Sequence, residues 1–248
     1  MIDDENLNII DLINSGRISK LKRFLLQRTN TPISNKTESD MDITFGKEFI
    51  KAKKRNQEVF KQIINSFLII MIRDCKYFNF EMFKKAFSTT RFKIISKKHN
   101  YGCGEISYHT DNIGEIEYLN FSISLNGFMS STHELLHLSS LCGFPYFAQS
   151  MGFNNVSQFF GTSINEGTTQ FMDKKYFNTP NDYYIEEEYI VRFLDKILGD
   201  DILEKSYFSF NPTMLINEIN KYMNYEEIYN FIINFDNITK TKKRISCR

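Results

Sequence analysis

Two of the chain's four histidines stand four residues apart, in His133-Glu134-Leu135-Leu136-His137. Positions i and i+4 of a helix share a face, so both imidazoles of an H-E-x-x-H segment can reach one ion such as Zn2+, at about 2.0–2.1 Å from each ring nitrogen. Glu134 points into the neighbouring sector, where it can take a proton from a water on that ion. Two nitrogens leave such a centre one protein ligand short. The candidate for the third is Glu166, in Ser163-Ile-Asn-Glu-Gly-Thr-Thr-Gln-Phe171. It falls in the first turn of an expected amphipathic helix that also brings Phe171 and Met172 to the core. Thr169 or Gln170, about one turn later, is placed to steady a ligand from behind.

Each glutamate has a competing reading. Ser131-x-x-Glu134 and Ser163-x-x-Glu166 both fit a capping box, in which the carboxylate merely satisfies a helix N-terminus. Asn126-Gly127 is the better start for the first helix, whereas Ser163 is a natural N-cap for the second. Of the other two histidines, His99 follows two lysines and reads as a solvated loop residue. His109 stands at a strand end before Thr110-Asp111-Asn112. With Tyr176, Tyr183 and Tyr184 it is a candidate donor to an oxyanion, and the sequence does not choose among the four. Cys142, five residues past His137, faces away from the ligand row and reads as a packing residue.

His133-Glu-Leu-Leu-His137 followed by Asn165-Glu166-Gly167 resembles the gluzincin group of zinc metallopeptidases, over about residues 105 to 180. The resemblance implies one zinc ion bound by His133, His137 and Glu166, with Glu134 as the base for hydrolysis of a peptide or protein substrate. The expected fold is zincin-like α+β: a small antiparallel sheet, read from the strand periods, packed on the active-site helix, with helical N-terminal and C-terminal parts. The thermolysin-like pattern has an Asp four residues beyond the ligand Glu. Gln170 occupies that place here, so histidine orientation must come from elsewhere or be weaker. A reading from another class is a zincin-like metal-binding module that senses, or binds protein or nucleic acid, without proteolysis. A metal-dependent hydrolase acting on something other than peptides is a third.

The elements that would hold these residues are visible as changes of period. Phe60, Ile63, Ile64, Phe67, Leu68, Met71, Ile72 and Cys75 recur at three and four residues, as on a helix with one buried face. Phe92-Lys-Ile-Ile and Gly104-Glu-Ile-Ser-Tyr read as short strands. Glu115 to Leu125 alternates with a phase slip at Leu119-Asn120 that suggests a bulge. This last strand is expected to be an edge that holds an extended peptide beside the metal. The H-E-x-x-H helix is expected to begin at Asn126 and to end near Cys142, before Gly143. Helical patterns follow over 165–176, 183–198, 202–208, 212–222 and 225–235. The expected organisation is a helical region over 1–90 with a polar linker near 29–42, a metallopeptidase-like core over 91–236, and a frayed basic tail over 237–248.

At 248 residues, 42% hydrophobic and 15% aromatic, the chain is neither disordered nor collagen-like. The net charge of +1 is a cancellation: residues 1–100 carry 20 basic against 11 acidic side chains, residues 101–236 carry 6 against 19, and the last twelve carry five bases. The basic residues are scattered among core-forming aromatics, which points to solvated helix faces and not to a nucleic-acid surface. Asp3, Asp4 and Glu5 after Met1 do not make a secretory signal. No apolar run approaches the roughly 20 residues of a membrane span. The expected location is the cytoplasm, with Cys75, Cys103, Cys142 and Cys247 as reduced thiols.

Overall fold

The computed structural model describes residues 54–95, 104–110, 116–124, 130–142, 150–155, 161–179, 183–199, 201–209 and 211–246. The expected linker near 29–42, His99, Cys103 and Cys247 lie outside them, as do the side chains of His109 and Cys142. The described residues are mixed α+β and mostly helical, with eight helices and a small three-stranded mixed sheet.

The first helix, α1 (Lys54–Asp74), buries Phe60, Ile63, Ile64, Phe67, Leu68 and Met71 as the periodicity requires. Ile70 is buried with them, while Ile72, expected on this face, is 39% exposed. A shorter helix, α2 (Phe80–Ser88), starts at Asn79, whose side chain accepts the Met82 N–H at 3.0 Å. Its Phe83 and Phe87 continue an aromatic chain that explains the phenylalanine-rich composition. Phe67, Phe83, Phe87, Phe92, Phe121 and Phe60 follow one another at centroid distances of 4.8 to 5.7 Å, a range in which tilted rings gain beyond area burial. These rings tie both helices to the sheet, and the same buried cluster extends to Phe235.

The sheet comprises β1 (Thr90–Ile95), β2 (Gly104–Thr110) and β3 (Ile116–Ser124) in the order β1-β3-β2. It departs from expectation in three ways. It is mixed and not antiparallel, because β1 runs parallel to β3, which inserts between strands consecutive in the chain. The strand expected at the edge, β3, is therefore central, and β2 is the edge strand that packs on the histidine helix. The register shift lies between His109 and Thr110, opposite Tyr118 and Ile116, and not at Leu119-Asn120. Leu119, Phe121 and Ile123 alternate without interruption into the core.

The histidine helix, α3, spans Ser131–Ser139. It starts five residues later than expected, with Asn126 outside the described residues, and it stops before Cys142. The early stop is chemical: Ser139 and Ser140 hydroxyls donate to the Leu136 and His137 carbonyls at 2.7 and 3.0 Å, taking up the free ends of the last turn. Leu141–Cys142 then pairs as β4 with β5 (Ser150–Met151), which pairs with β6 (Asn154–Asn155).

The remaining helices are α4 (Thr162–Phe177), α5 (Ile185–Leu198), α6 (Ile202–Phe208), α7 (Pro212–Ile219) and α8 (Tyr225–Ser246). Lys240, Lys242, Lys243 and Arg244, from the expected tail, lie within α8. Close approach of α4 and α5 depends on Gly167, where an added Cβ would come within 2.5 Å of the Glu187 carbonyl oxygen. At the far end of α4, the buried Glu204 carboxylate accepts from Tyr176 Oη, Lys175 Nζ and Cys75 Sγ. Burial and Glu204 push the Cys75 thiol up to about 12, so it stays protonated. Among the described residues no helix is long and apolar enough to cross a membrane.

Candidate metal centre

Helices α3 and α4 pack so that three side chains meet. His133 Nε2 lies 3.2 Å from His137 Nε2 and 3.2 Å from Glu166 Oε2, and His137 Nε2 lies 3.3 Å from the same oxygen. Four ligands at about 2.0–2.1 Å around a tetrahedral ion stand about 3.3–3.4 Å apart. The three atoms thus form one face of such a tetrahedron. Among the described residues, this is the group of His, Cys, Asp and Glu side chains positioned to hold an ion. Both histidines are buried, and Glu166 keeps partial exposure.

Neither capping box forms. Ser131 is itself the first residue of α3, and its hydroxyl has no partner. Ser163 lies inside α4 and donates its hydroxyl to the Phe235 carbonyl at 3.0 Å. The start of α4 is capped from α8, where the two oxygens of Asp236 accept the Gly161 and Ser163 N–H groups at 2.8 Å each. Glu166 takes no part in a helix cap and faces the histidines.

The charges reinforce this arrangement. Burial alone would raise the Glu166 pKa. The charge of His137 and hydrogen bonds from both imidazoles outweigh it and hold the carboxyl well below its ordinary range. Burial likewise disfavours the His133 imidazolium, and the hydrogen bond and charge of Glu166 reverse that, raising it. An ionised Glu166 beside two imidazole nitrogens is a donor set of the kind that binds a divalent cation.

Glu134 stands next to this triangle and outside it. Burial raises its pKa against the opposing pull of His133 and His137, which strengthens it as a base. Its side chain rests on the edge strand at Gly104, where an added Cβ would lie 2.7 Å from Glu134 Cγ and 3.1 Å from Oε1.

Of the candidate oxyanion donors, Tyr184 is at the site, its ring stacked on His133 at 5.6 Å and 13°. The charge of Glu166, burial and the charge of Glu134 drive its phenol well above the ordinary range, so it keeps its proton. Tyr176 is committed to Glu204, and Tyr183 is exposed. The structure places the His109 backbone on β2 opposite Tyr118.

Residues behind the ligands complete the picture. Thr169 Oγ1 lies 3.4 Å from His137 Nδ1, donates to the Asn165 carbonyl at 2.8 Å and meets Tyr207 Oη at 2.7 Å. Asn165 Nδ2 lies 3.3 Å from the same ring nitrogen, while its Oδ1 accepts the Phe153 N–H at 3.1 Å. Thr169 was legible from its spacing after Glu166. Tyr207 and Asp236 come from distant helices and carry no local signal. No family model, curated protein or solved structure matches the chain.

Proposed function

We propose that this chain is a zinc-dependent peptidase of zincin-like fold, with His133, His137 and Glu166 as ligands and Glu134 as general base. The observation that carries the reading is the meeting of three candidate ligand atoms at 3.2–3.3 Å beside a second carboxylate, Glu134, that stands outside the group. Bound there, zinc would supply Lewis acidity, polarising the scissile carbonyl and lowering the pKa of water toward neutrality.

The chain's own groups do the rest. Glu134 takes a proton from the attacking water and returns it to the leaving amine. The protonated Tyr184 hydroxyl donates to the oxyanion as it develops. Strand β2 offers its outer main-chain groups to an extended peptide, and Gly104 brings that edge against the base. A site that only stores metal has no use for an unliganded carboxylate at this position, which favours hydrolysis over a sensing or binding module. Elemental analysis of purified protein tests the reading: one zinc per chain, lost in His137→Ala, is expected. A wild-type chain that binds no zinc overturns it.

A further inference from the structure

His133 and His137 are unequally supported. His137 Nδ1 has the Thr169 hydroxyl oxygen, which can accept its proton, at 3.4 Å, whereas His133 Nδ1 is buried with no hydrogen-bond partner. An imidazole that gives its Nε2 lone pair to a metal carries its proton on Nδ1. A buried N–H without an acceptor costs about 1–3 kcal/mol, so this proton needs an acceptor nearby.

One carboxylate oxygen is available. Asp173 lies two turns beyond Glu166 on the same face of α4 and is fully buried. Its Oδ2 accepts the Thr179 hydroxyl at 2.6 Å, and its Oδ1 is buried without a partner. The charges of Asp173 and His133 act on each other, and Asp173 shares the helix face of Glu166, which meets His133 at 3.2 Å. A buried donor and a buried acceptor, each without a hydrogen-bond partner, are complementary once the ring binds through Nε2.

We infer that Asp173 is the positioning residue for His133, accepting its Nδ1–H through Oδ1 while Thr179 anchors Oδ2. The inference rests on the reading of the site as a metal centre. It assigns to the seventh residue after Glu166 the orienting role that Gln170 leaves unfilled. A carboxylate in this role fixes the tautomer and makes Nε2 a better ligand, and removing such a partner typically weakens metal binding by about 10–100-fold.

The experiment compares wild-type protein with Asp173→Asn, which keeps volume and removes charge, by chelator competition for zinc and by 1H–15N spectra of the histidine rings. Expected are a tenfold or greater loss of zinc affinity in the variant, and in zinc-loaded wild type a deshielded His133 Nδ1 proton, protected from exchange, that moves upfield on substitution. A purely structural role for Asp173 would not move that proton. Unchanged affinity, or an Nδ1 proton that exchanges freely in wild type, overturns the inference and leaves the metal centre standing. Absence of zinc from wild type overturns both. If Asp173→Asn does not fold, the wild-type ring spectrum alone decides.

Discussion

Gly104 and Glu134 touch across the junction of sheet and helix: a Cβ at Gly104 would stand 2.7 Å from Glu134 Cγ. The close approach lets the edge strand lie against the residue assigned as the base. Gly104→Ala is therefore expected to displace Glu134 while leaving the three ligands in place. Misplacement of a reacting group by about 1 Å can cost on the order of 100-fold in rate. A fall of at least tenfold in kcat, with zinc stoichiometry unchanged, is the expected result. Peptide hydrolysis at wild-type rate would separate Glu134 from the chemistry.

The cap from Asp236 couples the C-terminal helix to the ligand Glu166, five residues past Gly161. Removing a helix cap costs about 0.5–2 kcal/mol, and for a chain of this size 1 kcal/mol corresponds to about 2–4 °C in Tm. Asp236→Ala should lower the Tm by several degrees and weaken zinc binding, because α4 presents the third ligand. Thermal unfolding with and without zinc checks both effects. An unchanged Tm would show that the cap is replaced by water.

Tyr184 is separated from the other tyrosines by its position on His133. Loss of one oxyanion donor typically costs about 100–1000-fold in kcat, so Tyr184→Phe should lose rate in that range with KM little changed. Tyr183→Phe, on an exposed side chain, should change neither. Equal activity of the Tyr184 variant would return the oxyanion role to another donor.

The pair formed by His133 and Glu166 makes metal-free protein sensitive to pH in a defined direction. Glu166 is depressed below its ordinary 4.5, so its stabilisation is full above that value and is lost as pH falls below it. His133 is raised above its ordinary 6.5, so its stabilisation is full below that value and is lost as pH rises past it. The pair therefore supports metal-free protein most between about pH 4.5 and 6.5. Zinc needs the neutral imidazole, and the Tm gain from zinc should grow from pH 6 to 8. A gain that shrinks over that interval would contradict the ligand assignment.

The parts of this site set by local period were legible in the sequence. His133, Glu134 and His137 follow from a four-residue spacing, and Glu166 with Thr169 from the opening turns of a second amphipathic helix. The parts set by tertiary pairing were not. The alternation in β3 shows a strand but says nothing of its neighbours, so its central position and the edge role of β2 emerge only from pairing. Asp236 and Tyr207 act across dozens of residues through side-chain hydrogen bonds that leave no local period. The Ser163 capping box was a sound local reading, displaced because α8 supplies a carboxylate to the Ser163 N–H that Glu166 would have taken. The end of α3 was overextended because Ser139 and Ser140 close it by side-chain bonds that hydrophobic period does not register.

Glu134 is the residue on which hydrolysis and mere metal storage part. Zinc-loaded wild type and Glu134→Gln should be incubated with a random peptide library, and metal content and cleavage measured on the same samples. The predicted result is one zinc per chain in both proteins, with cleavage by wild type and none by the variant. Cleavage retained by Glu134→Gln, or no cleavage by zinc-loaded wild type, would contradict the assignment of this site as a peptidase centre.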